Sequence, residues 1–180
     1  MKEKIGGFLI LIGVSQFLLC LKIAEFLYPN YSVANNYISD LGVGPVAYIF
    51  NGSIILMGGL GILAAYLLFK WNKVFSLLLL LSSIGAIGVG VFPEGTGILH
   101  SLSALITFLF SGLGAIYSYR VDDKISRFIW PVLGVISLVA LGLFINHIYL
   151  GLGAGGMERM IVYPVFIWLI GISTVVIHET

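Results

Sequence analysis

VFSLLLLLSSIGAIGVGV, residues 74–91, runs for 18 residues without an Asp, Glu, Lys, Arg or His. Wound into an α-helix it would extend about 27 Å, close to the ~30 Å hydrocarbon thickness of a bilayer. A backbone in lipid must satisfy its own hydrogen bonds, and a stretch of this kind does so as a helix. Five further stretches meet the same demand: Ile5–Leu27, Pro45–Phe69, Ile98–Ser118, Ile129–Tyr149 and Met157–Ile177. The expected fold is all-α: a polytopic membrane bundle of six transmembrane helices, with residues 1–180 as a single domain.

Composition points the same way. Hydrophobic residues make up 59% of the chain and charged ones 9%, with a mean hydropathy of +1.10. A soluble domain carries about 25% charged residues to wet its surface. A soluble fold and a disordered tail are therefore excluded. The net charge of +1 gives no reason to expect nucleic acid as a partner, and membrane lipids are the expected surroundings. Cys20, the single cysteine, has no partner for an internal disulfide. Lys2 and Lys4 precede the first span in the manner of a signal peptide, but no small-x-small cleavage site follows, so it reads as a retained helix.

Basic residues set the expected orientation. Lys2, Lys4, Lys70, Lys73, Arg120, Lys124 and Arg127 fall on one side, and only Lys22 and Arg159 toward the other. The positive-inside rule then places both termini in the cytoplasm of a multi-pass cell-membrane protein. Asp122 and Asp123 lie in an inner connection, where a solvated role is the simplest account. Small residues at Ser82, Ala86 and Gly90, and at Gly52 and Gly59, are read as helix-packing positions. The connections after helices 1 and 4 do not resemble each other, so an inverted transporter repeat finds no support.

Chemistry-bearing residues gather on the outer side. In Tyr31–Gly42, residues Ala34, Tyr37, Ile38 and Leu41 repeat at i, i+3, i+4, i+7, which predicts a short interfacial helix. Asn36, Ser39 and Asp40 form its polar stripe, with Ser32 as N-cap and Gly42 as C′. Glu94 lies in the short connection after helix 3. His100 falls in the first turn of helix 4, where the helix dipole favours a neutral imidazole. His147 falls within a turn of the outer end of helix 5, so the two histidines are expected at matched depth. Gly151, Gly153, Gly155 and Gly156 predict a flexible cover before helix 6. Glu158 suits the start of that helix, and Arg159 is expected to hold an anionic head group or pair with Glu158 or Glu94. Lys22 and Glu25, at i and i+3, predict an ordinary ion pair.

The motifs Asn36-Tyr37-Ile38-Ser39-Asp40-Leu41-Gly42 and Val91-Phe92-Pro93-Glu94-Gly95, with His100 entering helix 4, resemble the domain-of-unknown-function family 998. That resemblance covers nearly the whole chain. It implies a six-helix unit with its polar motifs in these places, and carries no activity. A more distant likeness, to ceramidase-like multi-spanning metal hydrolases, rests on residue types. The chain departs from it in having six spans rather than seven and no HxxxH pair.

Zinc accepts His and carboxylate ligands, three of them in a catalytic site. His100, His147 and one of Asp40 or Glu94 would satisfy that count, with the remaining carboxylate as general base toward a lipid ester or amide. Ser39 with His100 and Asp40 is a thinner alternative, because no nucleophile elbow is present. Asn36 and Arg159 would bind substrate. The expected function is metal-dependent hydrolysis or transfer on a lipid or other membrane-embedded substrate. Alternatives are a haem held between the two histidines, a small-solute transporter using Gln16, Asn51, Ser82 and Ser83, and a non-catalytic subunit of a membrane complex.

Overall fold

A computed structural model describes residues 1–179. Six long helices form the molecule: α1 (Lys2–Leu27), α2 (Ala47–Leu68), α3 (Lys73–Val91), α4 (Ile98–Tyr117), α5 (Ile129–Ile145) and α6 (Gly153–Glu179). Each is long and apolar enough to cross a membrane, α5 together with the 3₁₀ turn Ile125–Phe128 that precedes it. No strand occurs among the described residues.

The helices run up and down in chain order, each packed on its sequence neighbours, and α6 returns to close against α1. The result is a ring. Its outward face carries a belt of exposed Leu, Ile and Val side chains, among them Ile12, Leu63, Leu102, Val132 and Val139. An apolar exterior is what a lipid solvent selects, so association between helices has to come from close packing.

Glycine supplies that packing, though not at all of the expected positions. A Cβ on Gly58 would meet the carbonyl oxygen of Ser83 at 2.7 Å, and one on Gly85 the backbone nitrogen of Thr107 at 2.6 Å. Gly134 faces the carbonyl of Gly112 in the same manner. These residues bring α2 to α3, α3 to α4 and α4 to α5. Gly90 packs against Ile54 and Ile55, whereas Gly52 and Gly59 have nothing within 4 Å. The latter two lie on the open side of α2, because spacing alone does not say which face of a helix meets a neighbour.

Two other expectations need correction. Asp122 is buried at 3% exposure rather than solvated, and it organises the α4–α5 connection. It accepts hydrogen bonds from the Lys124 backbone N–H (2.9 Å), the Ser126 hydroxyl (2.5 Å) and the Trp130 indole (2.7 Å). Burial pushes its pKa up, but these donors together with the nearby Lys124 charge bring it below the ordinary Asp value. The glycine-rich stretch before the sixth span is not a loose cover either. Gly153–Gly156 form the first turn of α6, four residues before the expected start at Met157.

The predicted helix over Tyr31–Gly42 is reduced to a single 3₁₀ turn, Ser39–Gly42. Its upstream half is an irregular loop opened by a turn in which the Asn36 N–H donates to the Ser32 carbonyl. Side chains and backbone from α6 take the groups that a helix would have paired internally. At the opposite connection α5 stops at Ile145, one turn short of the expected Tyr149. His147 lies beyond it in the left-handed region, φ 57°, a C′ conformation more often given to glycine.

Candidate active site

The site is built on the loop between α1 and α2, and Arg159 of α6 fixes that loop in place. Arg159 is 4% exposed. One terminal nitrogen donates to the carbonyls of Val33 (3.0 Å), Asn36 (3.4 Å) and Gly155 (2.9 Å). The other donates to the Glu25 carboxylate (2.6 Å) and the Tyr31 hydroxyl (2.8 Å). Glu25 also pairs with Lys22 at 2.7 Å. The Gly155 N–H donates to Ala34 O at 2.9 Å, and a Cβ on Gly155 would collide with the carbonyl oxygen of Asn36. Glycine is required here because two backbones touch.

With the loop held, three carboxyl groups meet its far side. Asp40 accepts from the Asn36 side-chain amide (2.9 Å) and the Tyr37 backbone N–H (3.0 Å). Glu158, 7% exposed, accepts from the Ile38 backbone N–H. Glu94 accepts from the Ser39 hydroxyl (3.3 Å) and neighbours the Asp40 carboxyl group. Two carboxyl groups in contact share one proton, because both cannot ionise cheaply side by side. Burial first, and then the Asp40 carboxylate, push the pKa of Glu94 up to about 7, against the weaker opposing pull of Ser39.

His100 stands next to this cluster. Its Nδ1 lies 2.8 Å from the Phe92 carbonyl oxygen. A carbonyl only accepts, so Nδ1 carries the proton in the neutral ring and Nε2 keeps its lone pair. His147 stands apart from the cluster, its Nδ1 3.0 Å from the Tyr149 hydroxyl, and Tyr149 in turn neighbours Tyr37. The neighbouring Tyr149 and burial raise the Tyr37 pKa to about 12.

Two cavities meet at this point. The first is lateral and lies between α4 and α5. It is lined by Leu102 and Leu105 on one side and Leu141 and Ile145 on the other, and it reaches Glu94, His100, His147 and Glu158. The second is an apolar slot inside the ring, descending from Ile38, Ser39, His100 and Glu158 toward Ile10 and Leu79. The two share Ser39, His100, Ala104, Phe108 and Glu158. A titratable cluster thus sits at the junction of a lipid-facing opening and an internal slot.

The structure brings Ser39, Glu94, His100 and His147 to one cavity and keeps Asp40 directly behind Glu94. It places Arg159 on the loop's other side and Asn36 between the two, its carbonyl accepting from Arg159 and its side-chain amide donating to Asp40, so both are occupied in holding the loop. Among the described residues no three His, Cys, Asp or Glu side chains are grouped as a metal ion requires. Glu158 and Tyr37 were not among the expected site residues. The available signal for Glu158 was an acid inside an apolar helix, visible only once that helix is known to begin at Gly153.

The family model described as "Protein of unknown function (DUF998)" matches residues 11–175. The chain belongs to the DUF998 family. The match takes in the lateral cavity, the internal slot apart from Ile10, the α1–α2 loop and the Glu94, His100, His147 and Glu158 positions of this DUF998 chain. Comparison with curated proteins and with solved structures finds no match.

Proposed function

We propose that this DUF998 protein is a membrane-embedded hydrolase or transferase acting on an ester or amide of an apolar-tailed lipid at the outer leaflet. The observation that carries the reading is that Glu94 and His100 line one lateral cavity open between α4 and α5. A lipid reaches such a site sideways, without leaving the bilayer. His100 Nε2 takes a proton from water or an acceptor hydroxyl as that oxygen attacks the carbonyl carbon. Glu94, protonated through its pairing with Asp40, gives its proton to the departing oxygen or nitrogen as the bond breaks. The imidazolium proton then returns to Glu94, so the site ends as it began.

General acid–base groups contribute typically 10²–10⁴-fold. His100→Ala is expected to lower turnover by about that factor, read by lipid analysis of nanodiscs carrying an ester and amide lipid panel. Unchanged turnover in that variant would remove His100 from the chemistry. Among the described residues no three His, Cys, Asp or Glu side chains are grouped to hold zinc. Elemental analysis and a visible spectrum of the purified protein would reveal bound zinc or haem.

The outer-leaflet assignment follows from the basic residues, which crowd the opposite end of the ring. With Cys20 replaced, cysteines introduced at Asn35 and Leu150 should be labelled from outside intact cells, and those at Lys73 and Lys124 should not. The reverse pattern would place the site in the cytoplasm.

A further inference from the structure

We infer that the internal slot binds a single straight hydrocarbon tail of the lipid whose head is processed at Glu94 and His100, and measures its length. The inference rests on the proposed function above and names its substrate class: a single-tailed lipid, or one tail of a two-tailed lipid.

Four features carry it. The slot is lined over His100–Ser111 of α4 and Glu158–Leu169 of α6, eleven helical steps on each, or about 16 Å at 1.5 Å per residue. That is the depth of one leaflet's tails, half of the ~30 Å hydrocarbon core. Its volume, about 80 Å³ open to the centre of a water molecule, drawn out over that length leaves a bore about 5 Å wide once the ~1.4 Å water radius is restored on each side. One polymethylene chain fills such a bore, and two do not fit.

The walls are also apolar in effect. Most lining side chains are hydrocarbon, and the Thr107 and Ser111 hydroxyls donate to helix carbonyls at 2.8 and 2.7 Å. Ser82 and Ser111 hydroxyls bond each other at 2.6 Å. The far end is closed. Ile10, Leu79 and Val165 line it and belong to the core cluster that includes Leu68, Phe75 and Trp168. A closed floor gives a tail a definite stop, and shortening Leu79 to Ala would lower it.

The test uses lysophosphatidylcholines of graded tail length, each with a diazirine at the methyl end, photolysed with the full-length protein in phosphatidylcholine nanodiscs. A tail that just spans the slot should label Leu79, Ser82 or Ser111. Shorter tails should label nearer the mouth, around Ala104 and Val89. Leu79→Ala should shift the best-labelling tail to a longer one, and Ala86→Leu should shift it to a shorter one. Should Ala86→Leu fail to fold, the length series on the wild-type protein decides alone. Labels confined to outward residues such as Leu77, Ile84 and Val132, whatever the tail length, would overturn the inference. Labelling needs no turnover, so the two readings fail separately. Depth-dependent labelling without activity toward any lipid sinks the catalytic reading and keeps the slot. Turnover without slot labelling does the opposite.

Discussion

Replacing Arg159 by Met is expected to destabilise the protein by about 3–5 kcal/mol, the usual cost of removing one partner of a buried ion pair. Arg159 and Glu25 approach to 2.6 Å with side chains 5% and 9% exposed. The methionine keeps the volume but leaves the Glu25 charge with only Lys22. It also strips the Val33, Asn36 and Gly155 carbonyls of a donor. An apolar exchange cannot be absorbed locally, because Gly155 has no room to shift against Asn36. Glu25→Gln should cost less, since its amide oxygen still accepts from Arg159. Thermal unfolding in detergent measures both. A loss under about 0.5 kcal/mol for Arg159→Met, the range of ordinary surface changes, would show that the clamp does not hold the loop. The site should fail with the loop, because Asp40 and Ser39 are placed by it.

Glu94→Gln is expected to move stability and turnover in opposite directions above neutral pH. The pKa of Glu94 is raised from an ordinary 4.5 to about 7. Between those values the folded protein holds a proton that the unfolded chain has released. Its contribution to stability is therefore complete below pH 4.5 and is lost as pH rises to about 7. Gln reproduces the neutral form and can still donate to Asp40, so the variant should keep that stability at higher pH and show a flatter profile. The groups facing Glu94 are Asp40 and Ser39 from the α1–α2 loop, with His100 of α4 and Glu158 of α6 on the shared cavity. Turnover should fall by about 10²–10⁴-fold, the range for a general acid. The wild-type rate should decline as pH passes above about 7, and in the variant that decline should vanish. Equal alkaline limbs in both proteins would assign the titration to another group. A variant less stable than wild type at pH 8 would show that the fold favours the Glu94 carboxylate and does not raise its pKa.

Glu158 shows why part of this site was hidden. An acid next to Arg159 near a helix start has an obvious solvated reading. Its burial depends on Gly153 and Gly155 allowing α6 to begin early and press against Ala34 and Asn36. Residues 120 positions apart then meet at the Ile38 N–H. The same distant contacts explain the missing helix over Tyr31–Gly42. Its apolar repeat is real, and Ile38 and Leu41 are buried. However, Arg159 and Gly155 take the carbonyls of Val33, Ala34 and Asn36, while Asp40 and Glu158 take the N–H groups of Tyr37 and Ile38. A helix would need those same groups for itself.

By itself the sequence determined six spans, the DUF998 resemblance and the end of the molecule where the titratable residues collect. Those properties follow from sums over neighbouring residues: hydropathy over a helix length, and distance along the chain from a span's end. Only the tertiary structure decided that Arg159 is a clamp, that Glu94 neighbours Asp40, and that Gly58, Gly85 and Gly134 rather than Gly52 and Gly59 set the helix spacing. It also decided that α6 closes on α1 and leaves a slot between them and their neighbours. Each of these depends on which faces of separate helices meet, and helical periodicity leaves that rotation free until the ring has closed.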